Sequence, residues 1–372
     1  MRDFFIPLTL AVSPALALFS SNLACEANDT ISNDQFRYLG RVDPATRRLT
    51  WPATGMSFTF QGTSADVPIV SSTGTNAMAI TVDGITTGID HVNGTKISTG
   101  ELTPGIHTVE IRKRSEAMFG TFSLGDPVTT GKFLPATQPG KRIEIIGDSI
   151  SVGFGILGTS PCNNSAALED ATLTYGALTA KNLSADYSIV AWSGKGIVRN
   201  YVTAADDGDD GQPRIPELWT RYDALGPNNT YDFRNSVDIV VLNIGTNDFG
   251  YTARRANGTS FQARPSLNMT EYTDALVEFG GQIQAKYASA ELFITTSPLV
   301  SDGYPLETSM RKTEQRAAVK SAVYRLGDKA HFVDFPAQDS RNNTPGCSSH
   351  PSRLTHERDA VILTDAIQAV VG

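Results

Sequence analysis

Four short segments of this 372-residue chain carry the residue types that acyl transfer requires. Gly147-Asp148-Ser149-Ile150 offers a hydroxyl, Ser193-Gly194-Lys195-Gly196 a tight turn with backbone N–H groups, Gly245-Thr246-Asn247-Asp248 a side-chain amide, and His350-Pro351 an imidazole. A serine is a weak nucleophile until a base takes its proton, and the oxyanion that then forms needs donors aimed at it. Ser149 is therefore the expected nucleophile. His350 is the expected general base, because an imidazole with an ordinary pKa of about 6.5 is neutral at working pH. The backbone N–H groups of Ser149 and Gly194 and the amide of Asn247 are the expected oxyanion hole. Gly147 is read as permitting a sharp strand exit, and Asp148 as hydrogen-bonding the turn. A blander role for Ser149 is a helix N-cap. His356 is read as a surface or packing residue of the last helix. Trp192 is open between a core aromatic and a platform for a sugar ring.

These segments make chemical sense only if a scaffold brings them to one rim. From Arg142 onward, apolar runs alternate with helical spacing, the signature of a parallel sheet covered on both faces. The expected strands are Ile143 to Ile146, Ser188 to Trp192, Ile239 to Ile244, Leu292 to Thr296 and Phe332 to Phe335. Helical spacing is clearest in Tyr272, Leu276, Ile283 and Tyr287, in Met310 to Leu326, and in Ala360, Leu363, Ile367 and Val370. Ligands of such sheets bind outside the carboxyl ends of the strands, where the first three segments fall. From Phe36 to Val128 the pattern changes to short β segments broken by Gly and Pro: Ser57 to Gln61, Ala77 to Val82, His107 to Arg112 and Gly120 to Leu124, with turn signals at Asp83-Gly84 and Asn93-Gly94. The expected architecture is a doubly wound α/β domain preceded by a β-sandwich of jelly-roll type. The expected division is a signal peptide over 1–27, the sandwich over 28–128, a connection over 129–140 and the α/β domain over 141–372.

The four segments resemble the blocks of SGNH (GDSL-type) hydrolases, which implies their flavodoxin-like fold over Lys141 to Gly372. In the first half, Gly40-Arg41-Val42, Phe58 to Thr63, Val82-Asp83-Gly84, Gly105 to Val109 and Lys113-Arg114-Ser115-Glu116 are similar to the jelly-roll domain of family two carbohydrate esterases. That resemblance implies removal of O-acetyl groups from xylan, glucomannan or related sugars, as an acetylxylan esterase does. It also exposes a departure. Many relatives place an Asp two or three residues before the catalytic His, and here Ser348 and Cys347 stand there. A Ser149/His350 dyad is expected, with a backbone carbonyl near Ser349 orienting the ring; Asp339 or Asp334 is the alternative third member.

The net charge of −8 disfavours nucleic acid and anionic membranes as partners. An acetylated polysaccharide or oligosaccharide is the expected substrate, acted on by a monomer without metal or other cofactor. The apolar stretch Phe4 to Phe19, followed by Ala24 and Ala27, reads as a secretory signal, so an extracellular protein is expected. Cleavage after Ala17 would keep Cys25 and cleavage after Ala27 would remove it; Cys162 is paired with Cys347. Asn28, Asn93, Asn163, Asn182, Asn228, Asn257, Asn268 and Asn342 head N-x-Ser/Thr acceptors. The acidic run Asp206-Asp207-Gly208-Asp209-Asp210 lacks calcium-loop spacing and is read as solvated. Absence of G-x-S-x-G disfavours α/β-hydrolase lipases, and five histidines without ligand spacing disfavour a metal-dependent deacetylase. Two rivals remain: a general esterase on small or lipid esters, and an inactive carbohydrate-binding protein.

Overall fold

The structure, a computed structural model, describes residues 29–32, 34–43, 45–138, 140–202, 212–226, 229–255 and 257–372. The signal segment, Cys25, Asn28, Asn228 and the acidic run from Asp206 to Asp210 lie outside the described residues. The first half is a sandwich of two antiparallel sheets. One runs in the order Asp29–Thr30, Val128–Thr129, Ala65–Gly74, Gly120–Leu124, Arg48–Leu49, with Lys96–Ser98 paired to Ala65–Gly74. The other runs Lys132–Leu134, Gly55–Gly62, Gly105–Lys113, Met78–Val82, Ile85–Ile89, with Phe36–Leu39 paired to Gly55–Gly62. The period of two explains the core: Met56, Phe58 and Phe60 are buried while Ser57 and Thr59 between them are not, and the inward set meets Val109, Ile111 and Phe122. Asp83 and Gly84, both at positive φ (50° and 83°), make the two-residue hairpin turn that their types favour.

Two strands, Val128–Thr129 and Lys132–Leu134, fall where a connection was expected, so the sandwich continues to Leu134. Gly131, in the bend between the two strands, lies against the Gln61 backbone too closely for any Cβ, so this bend is packed on the sheet. Ala65–Gly74, ten residues long, escaped the sequence reading because Pro68 and Ser71-Ser72 interrupt its alternation.

The second half is a five-stranded, wholly parallel sheet of β1 (Arg142–Gly147), β2 (Asp186–Ala191), β3 (Ile239–Asn243), β4 (Glu291–Thr295) and β5 (Ala330–Val333), in the order β2-β1-β3-β4-β5. That is the flavodoxin-like order, and its topological switch lies between β1 and β3. Alternate strand residues enter opposite cores. Ile146, Val190, Leu242 and Ile294 pack under α2 (Met269–Lys286) and α3 (Arg311–Leu326), while Ile145, Ile189, Val241 and Phe293 pack under α1 (Tyr175–Asn182) and α4 (Arg353–Val371). The doubly wound expectation is borne out. The fifth strand begins and ends two residues earlier than expected; past its end, Asp334 and Phe335 bond to the side chain of Thr296, just beyond β4.

The halves share a buried seam. Trp51 of the sandwich joins the core beneath α2, and Ala53 joins the one beneath α1. Arg41, 2% exposed, pairs with Glu144 on β1 at 2.8 Å and lies 4.0 Å from the Tyr231 ring centre. Glu144 also accepts from Trp219 Nε1 at 2.7 Å. A buried charge is tolerated only when paired in this way.

Candidate active site

The parallel register sets the site. Gly147, the last residue of β1, pairs with Ala191 of β2 on one side and Asn243 of β3 on the other. Ser149, Ser193-Gly194 and Gly245 to Asp248 therefore leave three adjacent strands at the same rim. Gly147 was expected to ease a sharp exit, but its φ is not left-handed; a Cβ there would lie 2.1 Å from Ser151 Oγ and 2.9 Å from the Asn243 carbonyl oxygen. Close packing is what requires glycine there. Ser149 opens a one-turn helix, Ser149–Val152, whose N-cap is Asp148: its Oδ1 accepts from the Ile150 N–H at 3.0 Å. The capping role that Ser149 could have filled belongs to Asp148, and burial pushes the Asp148 carboxyl up to about 7.

His350 Nε2 lies 2.9 Å from Ser149 Oγ. The residues before it form a short 3₁₀ turn with Ser348 and Ser349 both left-handed, at φ 53° and 64°. Such conformations persist only where the surroundings hold them. Here Cys347 is bonded to Cys162, its N–H donates to the Gly155 carbonyl at 3.1 Å, and the Ser348 N–H donates to the Cys162 carbonyl at 3.0 Å. Phe154 stacks on the imidazole with ring centres 4.1 Å apart.

The expected backbone contact falls to Ser348 and Cys347, whose backbones act on the imidazole, and not to the carbonyl of Ser349 itself. Two successive left-handed residues turn that carbonyl outward, where it accepts from Gln338 Nε2 at 2.7 Å. Nδ1 of His350 is buried and makes no hydrogen bond of good geometry among the described residues, so the hold of those two backbones on it is weak. Neither alternative carboxylate substitutes: Asp334 pairs with Arg316 at 2.8 Å, and Asp339 caps its own turn through the N–H of Arg341. The ring is held by the Phe154 face, by Ser149 and by the backbones of Ser348 and Cys347. Burial lowers the imidazole pKa to about 4, against a weaker upward pull from the backbones of Ser348 and Cys347. The His350 side of the cleft stays partly open to water, so the acid limb belongs between that value and the ordinary one of about 6.5.

Two loops supply the oxyanion donors. Gly194 sits at φ +81°, a conformation that favours glycine, and its carbonyl accepts from the Tyr201 N–H at 2.6 Å. Asn247 is 6% exposed and one of its amide hydrogens goes to the Lys195 carbonyl at 2.8 Å, leaving a second for a bound carbonyl. Asp248, fully buried, accepts from the N–H groups of Ile197, Val198 and Arg199 and so ties the third segment to the second. Its carboxyl is raised by burial.

Several contributors escaped the sequence reading. Arg264, 6% exposed, donates to the carbonyls of Asn247 (2.7 Å), Gly250 (2.7 Å) and Asn200 (2.8 Å), clamping both loops from outside any motif. Phe154 carried one faint signal, an aromatic five residues after the nucleophile. Trp192 is half-buried against the core beneath α2, with Lys195 Nζ 5.9 Å from its ring centre. His356 lies within α4, 1% exposed, and accepts from the Tyr175 N–H at 3.1 Å, so it packs rather than reacts. Of the acceptors, Asn93, Asn163, Asn182, Asn257, Asn268 and Asn342 are exposed, and Asn268 also caps α2.

Comparison with known proteins agrees with this geometry. Residues 38–137 match the family described as Carbohydrate esterase 2 N-terminal, and residues 145–358 match the GDSL-like Lipase/Acylhydrolase family. A solved structure of a carbohydrate esterase family 2 enzyme plus carbohydrate binding domain from Corynascus thermopiles (Myceliophthora fergusii) is 46% identical, with a TM-score of 0.83 over 90% of this chain and 98% of that one. Cellulase/esterase CelE of Acetivibrio thermocellus is 33% identical over 91% of this chain, which spans 40% of that protein's length. An acetylxylan esterase / glucomannan deacetylase of Cellvibrio japonicus is 28% identical over 91% of this chain and 90% of its own.

Proposed function

The chain belongs to the family two carbohydrate esterases, and from that footing we propose that it is a secreted serine esterase removing O-acetyl groups from cell-wall polysaccharides such as xylan or glucomannan. The observation that carries the reading is the 2.9 Å contact between Ser149 Oγ and His350 Nε2 at a rim that also presents Gly194 and Asn247. In this mechanism Ser149 Oγ attacks the acetyl carbonyl while its proton passes to His350 Nε2. The oxyanion takes hydrogen bonds from the backbone N–H groups of Ser149 and Gly194 and from the Asn247 amide. Collapse breaks the ester bond, and His350 returns the proton to the departing sugar oxygen. Water then gives a proton to His350 and attacks the acetyl-serine; acetate leaves, and Ser149 regains its hydrogen. Because burial keeps His350 neutral, the base is ready at mildly acidic pH.

The named activity of the Cellvibrio relative supports acetyl as the group removed. The apolar N-terminal stretch and the Cys162–Cys347 bond, which suits an oxidising compartment, support secretion. The nucleophile, the base and the oxyanion donors come from one chain, so a monomer suffices. The test is acetate release from acetylated xylan and acetylated glucomannan, with 4-nitrophenyl acetate alongside and Ser149→Ala as the control. Polysaccharide deacetylation lost in the variant is expected. Hydrolysis of the small ester alone would discard the glycan, and sugar binding without any hydrolysis would favour a binding protein.

A further inference from the structure

Lys113-Arg114-Ser115-Glu116 leaves the last turn of the long sandwich strand Gly105–Lys113 and enters the α/β half, where all four residues are at most 2% exposed. Arg114 docks this segment: it pairs with Asp170 at 2.8 Å, and its carbonyl accepts from the Ala171 N–H at 3.0 Å. Glu116 then reaches the active-site loops. Its Oε2 accepts from the Ser193 N–H at 2.8 Å, one residue before the oxyanion glycine. Its own N–H donates to Glu169 Oε1 at 2.5 Å. From Glu169 a second arm runs on: Oε2 accepts from Asn164 Nδ2 at 2.8 Å, Asn164 Oδ1 accepts from the Gly155 N–H at 2.9 Å, and the Gly155 carbonyl accepts from the N–H of Cys347, three residues before His350.

We infer that Glu116, contributed by the N-terminal β domain, is a positioning residue that with Glu169 and Asn164 sets the oxyanion loop and the histidine loop against each other, so the sandwich completes the active site. The inference rests on the Ser149/His350 reading and adds a domain to it. The Ser193 N–H belongs to the peptide immediately before the one that carries the Gly194 N–H, so Glu116 anchors the start of the turn that presents that donor. Asn164 buttresses the strained turn through Gly155, whose carbonyl takes the Cys347 N–H. The chemistry of the pair fits a fixed strut. Burial raises both carboxyls, and Lys113 Nζ faces them through the carbonyls of Ser115 and Glu116. A glutamine at 116 would still accept from the Ser193 N–H through its oxygen while placing no charge in the buried site.

The experiment compares Glu116→Ala, Glu116→Gln, Asn164→Ala and Ser149→Ala in the full chain on 4-nitrophenyl acetate, with rates expressed per active serine titrated by a phosphonate ester. Glu116→Ala should lower kcat on the order of 10²-fold with KM little changed, because donors misplaced by about 1 Å stabilise the transition state poorly while the ground state hardly senses them. Glu116→Gln should restore kcat close to that of the parent, and a role in stability alone would not produce that kcat-only loss and rescue. An unchanged kcat in Glu116→Ala, or an equal loss in Glu116→Gln, would overturn the proposal. Should Glu116→Ala fail to fold, Asn164→Ala carries the test through the histidine arm, and an unchanged kcat there overturns it. Activity persisting in Ser149→Ala would instead sink the dyad reading on which the inference rests.

Discussion

The acid limb of the pH profile should report the unusual setting of His350. Activity needs the neutral imidazole, so kcat/KM rises with pH through the free-enzyme pKa of that group. Burial, much of it under the Phe154 ring, lowers that pKa to about 4. With a midpoint of about 4, about 97% of the enzyme holds a neutral His350 at pH 5.5, whereas an ordinary imidazole of about 6.5 would leave only about 9%. The two cases differ roughly tenfold at that single pH. Partial exposure of the ring moves the observed midpoint upward from 4 but keeps it below 6.5. The perturbation is Phe154→Ala, which opens the stacked face to water and should carry the limb toward 6.5. The assay is initial rates on 4-nitrophenyl acetate from pH 3.5 to 8 in constant ionic strength, each variant referred to its own neutral plateau. Parent enzyme near its plateau at pH 5.5, with Phe154→Ala well below its own, is the expected result. A parent limb at 6.5 or above would refute the desolvation argument. So would a Phe154→Ala limb that coincides with the parent's.

Asn247→Ala should cost roughly 10² to 10³ in kcat on any acetate ester, as one oxyanion donor usually does, with a far smaller change in KM. A rate near that of the parent would remove Asn247 from the hole. At the seam, Arg41→Met strands the Glu144 carboxylate in a dry environment and should destabilise the fold by about 3–5 kcal/mol, measured by urea unfolding. A loss below about 1 kcal/mol, the usual worth of an exposed pair, would show that the seam is wetter than its burial indicates.

The scaffold of the α/β half was legible because its strands are short apolar runs, three of them ending in Gly147, Asn243 and Thr295, and a parallel sheet needs both faces apolar. The residues right after those runs were the functional candidates, and the register of β1 with β2 and β3 brings Ser149, Gly194 and Asn247 to one rim. Beyond the Ser149–His350 contact and the Cys162–Cys347 bond, what escaped was the interactions between residues distant in sequence. Nothing in the pattern around Glu116 marks it as the acceptor for Ser193, 77 positions on. Arg264 looks like a loop cation until its three carbonyl partners are seen. The outward turn of the Ser349 carbonyl was missed for a related reason: carbonyl direction depends on φ, and two serines at positive φ are not foreseen from residue type. In the sandwich, the strand Ala65–Gly74 was hidden by Pro68, and the sheet edges beyond Val128 by their shortness.

The central claim is that Ser149 becomes covalently acetylated, with His350 as its base. Mixing the protein with excess acetylated xylo-oligosaccharide, quenching in acid within the first turnovers and mapping peptides by mass should find one acetyl group on the peptide carrying Ser149. It should be absent in Ser149→Ala and sharply reduced in His350→Ala. Acetate released at the normal rate with no label on Ser149, or labelling undiminished in His350→Ala, would contradict the account.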